Sequence, residues 1–305
     1  MANGNDTGAA TPLLRQTPLE LDAATLAALA ERDPDLPAAL ETVSMATIAY
    51  RSEGLTIAGA LAQPRAPGRY PSLIYNRGGT GEGGALGPDE IAGTLGRIAS
   101  WGYVVVASQY RGGPGSEGAD EFGGSDLADV LALIPLLDSL PAADASRIGM
   151  WGWSRGGLMT YRAVAATSRI AAAVIVAGVA DAFDYMARRP DMEQEVFSRL
   201  IANYRPQRLV ALTVRSAIRW PDMLCKQTPL LLVHGGADRR IHPSQSLRMA
   251  AALHEHHHPF RLLLLEGGDH ALSEYRTELF DTARAWLDRY VRDRLPWPSL
   301  EPHGA

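Results

Sequence analysis

The chain has 305 residues, 46% of them hydrophobic and 21% charged, with a formal net charge of −5. That is enough apolar material for one large core, and the lack of a basic excess argues against a nucleic-acid partner. Cys225 is the only cysteine, which excludes an intramolecular disulfide, and no stretch approaches the roughly 18 apolar residues of a membrane span. A soluble, cytoplasmic, single-domain protein with no membrane partner is the expectation.

In chain order, residues 1–40 mix polar segments with one helix, Leu19 to Glu31, which Thr17-Pro18 would start, and are expected to form an N-terminal helical extension. Two alternating runs, Val43 to Tyr50 and Leu55 to Ala62, predict an antiparallel hairpin with a four-residue turn, Arg51 to Gly54. Short apolar runs then alternate with amphipathic ones. Strands are expected over Ser72 to Tyr75, Tyr103 to Ala107, Ile148 to Trp153, Ala171 to Ala177, Leu230 to His234 and Phe260 to Leu265, and helices over Glu90 to Ser100 and Ser125 to Leu140. Continuous apolar strands joined by helical crossovers predict a mainly parallel central sheet with helices on both faces. The main domain would span 41–296, with 297–305 a loose tail. Residues 181–227 are far more than a crossover needs, and predict a helical lid over the C-terminal edge of the sheet.

The run Ile148 to Gly157 carries the chemistry. Gly152-Trp153-Ser154-Arg155-Gly156 is a G-x-S-x-G turn between an apolar strand and an apolar helix, the signature of a nucleophile elbow. Gly152 and Gly156 are required because strand and helix pass too closely there for side chains. A serine nucleophile needs a base and a group that orients the base. Asp238 follows the strand Leu230 to His234 and His270 follows the strand Phe260 to Leu265, so the order Ser154, Asp238, His270 is that of an α/β-hydrolase fold. Asp269 is the rival carboxylate, and His234 and His242 are rival bases. An oxyanion hole would take the backbone N–H of Arg155 and a second one from the loop after an earlier strand, Gly79 first and Gly78 next.

Two motifs are deceptive. Gly79 to Gly84 and Gly113 to Gly118 both spell G-x-G-x-x-G, but no acidic residue closes the next strand as a nicotinamide site would need. His254 to His258 spells H-E-x-x-H, yet Pro259 ends the helix at once, so the cluster reads as a solvated helix end and no metal is expected.

With these residues in view, the chain resembles the catalytic domain of the prolyl oligopeptidase family of serine hydrolases. The resemblance is carried by Arg77-Gly78-Gly79, Tyr110-Arg111-Gly112, Asp126 to Val130, Gly152 to Gly157, His234 to Asp238 and His270, and covers about residues 43 to 293. It implies an α/β-hydrolase fold, a triad of Ser154, Asp238 and His270, and peptidase or esterase activity without a cofactor. The family's usual histidine before the double glycine is Arg77 here, and its frequent tyrosine after the serine is Arg155. About forty residues ahead of the domain cannot build the large β-propeller of the family's oligopeptidases. Small esters, amides or short peptides are therefore the expected substrates. Arg77, Trp153, Tyr185 and Trp220 are expected to line the substrate pocket, with Met186 and Tyr204 as further walls, and Arg77 or Arg155 to meet an anionic or carbonyl group. The alternatives are a peptidase specific for short peptides and a non-catalytic binding protein on the same scaffold. A homodimer through an exposed sheet edge is left open.

Overall fold

The computed structural model describes residues 12–304. Nine strands form one sheet in the order β1-β2-β3-β5-β4-β6-β7-β8-β9: β1 (Leu13–Pro18), β2 (Val43–Ser52), β3 (Leu55–Pro64), β4 (Tyr70–Asn76), β5 (Val104–Ser108), β6 (Ala143–Trp153), β7 (Ile170–Val176), β8 (Leu230–Gly235) and β9 (Phe260–Leu265). From β5 through β9 every pairing is parallel, while β1, β2 and β3 pair antiparallel and β3 joins β5 antiparallel. This is the mainly parallel, two-faced sheet that the alternating pattern predicts, with an antiparallel hairpin at one side.

Within β5 every residue is buried, yet the pleat still divides them: Val104 and Val106 enter the core on one face, and Val105 and Ala107 the core on the other. One face carries α4 (Leu127–Leu131), α5 (Leu133–Ser139), α6 (Arg155–Ala166) and α9 (Ser244–Glu255); the other carries a continuous helical stretch, α3 (88–100), and α10 (Arg276–Leu287). Ahead of these lie α1 (Ala23–Arg32) and α2 (Leu36–Leu40). The insertion contributes α7 (Ala182–Arg188), a helical run over 190–200, and α8 (Tyr204–Val214), packed around Phe122, Tyr185, Phe197 and Leu212 in a small core of their own.

Several boundaries differ from the sequence reading. Thr17-Pro18 does not open a helix: it ends β1, an edge strand where a proline without an N–H is tolerated, and α1 is capped instead by Asp22, whose carboxylate accepts the Thr25 N–H at 2.7 Å. The N-terminal extension is thus part strand, and residues 1–11 lie outside the described residues. The hairpin turn has two residues rather than four, since Ser52 pairs with Leu55 and both Glu53 (φ 46°) and Gly54 (φ 84°) take the left-handed conformation that matches strand twist. The helix expected over Ser125 to Leu140 is divided at Ala132, because Pro135 has no N–H to offer the Leu131 carbonyl.

Candidate active site

The parallel strands end on one edge of the sheet, and the loops that leave β4, β6, β8 and β9 there carry Arg77–Gly79, Ser154, Asp238 and His270 respectively. Open α/β sheets bind ligands at this edge because the strand ends splay apart and the following helices present their N-termini.

Ser154 sits between β6 and α6 at φ 57° and ψ −119°, a conformation that L-residues rarely occupy. The turn is held by the Ser154 N–H donating to Val176 O (2.9 Å) and the Gly157 N–H donating to Ser154 O (2.9 Å). Glycine is obligatory on both sides: a Cβ on Gly156 would overlap Asn76 O, and one on Gly152 would overlap Gly156 O. The Ser154 side chain makes no cap for α6, although it occupies the cap position. Ser154 lines a cleft of about 570 Å3 together with His270, Gly78 and Gly79.

His270 and Asp238 meet directly, with Nδ1 2.7 Å from Oδ2. Asp238 is buried and saturated. Its other oxygen accepts the backbone N–H groups of Arg240 (2.7 Å) and Ile241 (3.0 Å), and His234 Nε2 lies 3.3 Å from Oδ2. Burial alone would raise the pKa of this carboxyl; hydrogen bonds from His234 and His270, with the charge of His270, outweigh it and bring the group well below the usual carboxylate range. The rivals have other work. His234 is fully buried, its Nε2 donating to Ile241 O (2.8 Å) and its Nδ1 accepting from Ser246 (2.7 Å). His242 bonds Ser244, and the Asp269 carboxylate accepts the Ser273 N–H.

The glycine loop after β4 is fixed by two buried cations. The Arg77 guanidinium donates to Gln109 O (2.7 Å) and Gly78 O (3.1 Å) and stacks over Tyr110. Because a trans peptide points its C=O and N–H in opposite directions, turning Gly78 O toward Arg77 turns the Gly79 N–H away from it. Arg155, one residue after the serine, donates to Gly79 O (2.9 Å), pairs with Asp120 (2.6 Å) and Asp126 (2.6 Å), and lies between the rings of Tyr110 and Phe122. Its backbone N–H begins α6 and has no intrahelical acceptor. Burial disfavours the charge on Arg155, but the two carboxylates more than compensate, so its pKa rises, and that of Asp126 falls for the reciprocal reason.

The expectation that Arg77 or Arg155 meets substrate finds both residues about 1% exposed and held by carbonyls or carboxylates, with Arg155 Nε left unpartnered. Trp220 is also displaced. Its indole N–H donates to Thr213 O, and it lines a separate apolar groove with Leu127 and Met223. Met186 and Tyr204 belong to the insertion's own core. Trp153 and Tyr185 do line the cleft, and the Trp153 indole N–H donates to His270 O (3.1 Å), bracing the histidine loop. Sequence reasoning missed Phe122, Met192, Val196 and Ile241, which form the apolar wall, and Arg189 and Arg240 at its rim. None of these stands in a motif; only the fold brings them to Ser154. The histidine cluster disperses: His254 ends α9, His257 turns at φ 50°, and His258 is buried with Nε2 donating to Thr228 O. Among the described residues no helix is long and apolar enough to cross a membrane.

Residues 94–294 match the profile of the prolyl oligopeptidase family. The uncharacterized peptidase YtmA of Bacillus subtilis is 33% identical over 228 residues, which cover 73% of this chain and 84% of that protein. Dipeptidyl-peptidase 5 of Porphyromonas gingivalis is 27% identical over 241 residues, 73% of this chain but only 34% of that protein. In three dimensions the acylaminoacyl peptidase of Pyrococcus horikoshii superposes with a TM-score of 0.72 at 20% identity, over 85% of this chain and 43% of that one. The chain thus spans most of the first relative and less than half of the other two.

Proposed function

Since the chain belongs to the prolyl oligopeptidase family of serine hydrolases, with the α/β-hydrolase fold of its relatives, we propose that it cleaves peptide bonds, and small esters or amides, through an acyl-enzyme at Ser154. The observation that carries this reading is the Asp238–His270 hydrogen bond of 2.7 Å, in a cleft shared with a strained serine whose hydroxyl is not spent on capping.

The roles follow from the proton positions. An ionised Asp238 can only accept, so the proton on the facing nitrogen of His270 is on Nδ1, and Nε2 is left with its lone pair. Nε2 takes the Ser154 proton as Oγ attacks the substrate carbonyl. The resulting oxyanion would lie against the Arg155 and Gly79 N–H groups. The tetrahedral intermediate collapses, the C–N or C–O bond breaks, and the proton on Nε2 passes to the leaving atom. Water, deprotonated by the same nitrogen, then attacks the acyl-enzyme and restores Ser154. Every step uses groups of this chain, and no cofactor enters the proposal.

The acyl half of the substrate would lie against Phe122, Tyr185, Met192, Val196 and Ile241, which favours an apolar side chain at that position. The dipeptidyl-peptidase and acylaminoacyl-peptidase relatives support short peptides as the first substrates to try. The test is hydrolysis of short acyl-peptide anilides and p-nitrophenyl esters by the native chain and by Ser154→Ala. The proposal expects turnover that the substitution removes; turnover that survives it would refute the assignment.

A further inference from the structure

The cleft has a second compartment. Gly78, Trp153 and His270 wall the acyl chamber and also border a cavity of about 380 Å3 that runs between α3 and the start of α10. Ser154 and Gly79 line the first chamber only. On the reading of Ser154 and His270 given above, this asymmetry orders the substrate. Its carbonyl carbon must lie by the serine and the oxyanion donors, whereas the leaving atom must come within reach of the general acid His270. The leaving group therefore extends past His270 into the second chamber.

That chamber holds Tyr75, Arg77, Asp89, Glu90 and Arg276 among its walls. Arg77 is consumed by backbone carbonyls, Glu90 accepts the Tyr75 hydroxyl at 2.7 Å, and Asp89 is exposed at the mouth. Arg276 is different. Its guanidinium lies 5.1 Å over the Phe280 ring, and among the described residues it forms neither an ion pair nor a hydrogen bond; Glu90 acts on it only at longer range. A half-buried, stacked guanidinium with its N–H donors free matches a planar carboxylate in charge and shape.

We propose that this chamber is a leaving-group subsite in which Arg276 binds the free α-carboxylate of the departing amino acid, so that the chain preferentially releases single C-terminal residues. The substrate class is then an acylated amino acid or short peptide with its last residue uncapped. A carboxylate answers the unpaired cation.

The test compares two substrates with one acyl group, a blocked dipeptide acid and its C-terminal amide, on the native chain, Arg276→Met and Arg276→Lys. A charge-assisted hydrogen bond of the usual strength predicts that kcat/KM for the acid exceeds that for the amide by about 10- to 100-fold, mainly through KM. Arg276→Met should bring that ratio toward one and Arg276→Lys restore part of it. A merely structural role for Arg276 would lower both substrates alike and leave the ratio standing, and the ratio is insensitive to loss of folded enzyme. A native ratio near one, a ratio that survives Arg276→Met, or a preference for the amide overturns the proposal. If neither substrate is cleaved and the serine is also inert to a fluorophosphonate, the reading of the active site has failed instead. The chamber is then decided by calorimetry with the free amino acid and its amide, where equal binding overturns it.

Discussion

Replacing Arg155 by methionine removes a cation that is about 1% exposed and leaves the carboxylates of Asp120 and Asp126 buried without their counter-ion. Breaking a buried pair from one side costs about 3–5 kcal/mol, because the remaining charge is neither hydrated nor compensated. For a chain of 305 residues the unfolding entropy is of order 0.6 kcal/mol/K, so Tm should fall by about 5–8 °C at pH 7. The loss should also depend on pH in a characteristic direction. In the native chain the folded pKa of Asp126 is lowered, so its contribution is present above the unfolded value and is lost only as pH falls through the folded one. In the variant, burial without Arg155 raises the same pKa, and that contribution is present at low pH and lost as pH rises. The stability gap between the two proteins should therefore narrow from pH 7 to pH 5. Because Gly79 O loses its donor as well, the rate of acylation should fall further than the folded fraction does. Thermal melts at both pH values, with acylation rates corrected for folded protein, measure all three. A Tm within 1 °C of native at pH 7, or a gap that widens on acidification, would refute the argument.

Asp238→Asn keeps the shape but replaces an acceptor with an amide that favours the wrong histidine tautomer, and kcat should fall by about 10⁴-fold as in other triads. Its effect on stability should be full above about pH 4 and shrink in stronger acid, since the folded pKa of Asp238 is depressed; urea unfolding at pH 7 and pH 3 checks this. His258 is pushed down to about 4 from 6.5, first by burial and then by the nearby Lys226 charge. A depressed histidine pKa gives stability that is complete above the unfolded value and is lost as pH falls from 6.5 toward 4, here by roughly 3 kcal/mol. His258→Gln, which can still donate to Thr228 O, should flatten that part of the urea stability profile; an unchanged slope would place the acid sensitivity elsewhere.

What the sequence disclosed and what it withheld divide along the range of the interactions. Ser154, Asp238 and His270 each follow a wholly apolar run by at most a few residues, so a local pattern located them at strand ends, and the shared edge of a parallel sheet did the rest. The glycines of the elbow were legible for the same reason. Strand β1 was not: Arg15, Gln16 and Thr17 are exposed, so the edge strand carries no alternation to read. The fate of Arg77 and Arg155 was also hidden, since a cation's burial depends on partners such as Asp120 and Asp126, brought to it by a loop 29 to 35 residues away. Aromatic and methionine residues of the insertion were named as walls by type alone; burial kept Tyr185 at the cleft and sent Trp220 to another groove.

The central claim is that Ser154 is an activated nucleophile, and fluorophosphonate labelling followed by intact mass and peptide mapping tests it most directly. The expected result is one adduct, on the peptide carrying Ser154, lost in Ser154→Ala and strongly slowed in Asp238→Asn. Labelling at another residue, or labelling of the native chain that persists in Ser154→Ala, would contradict it.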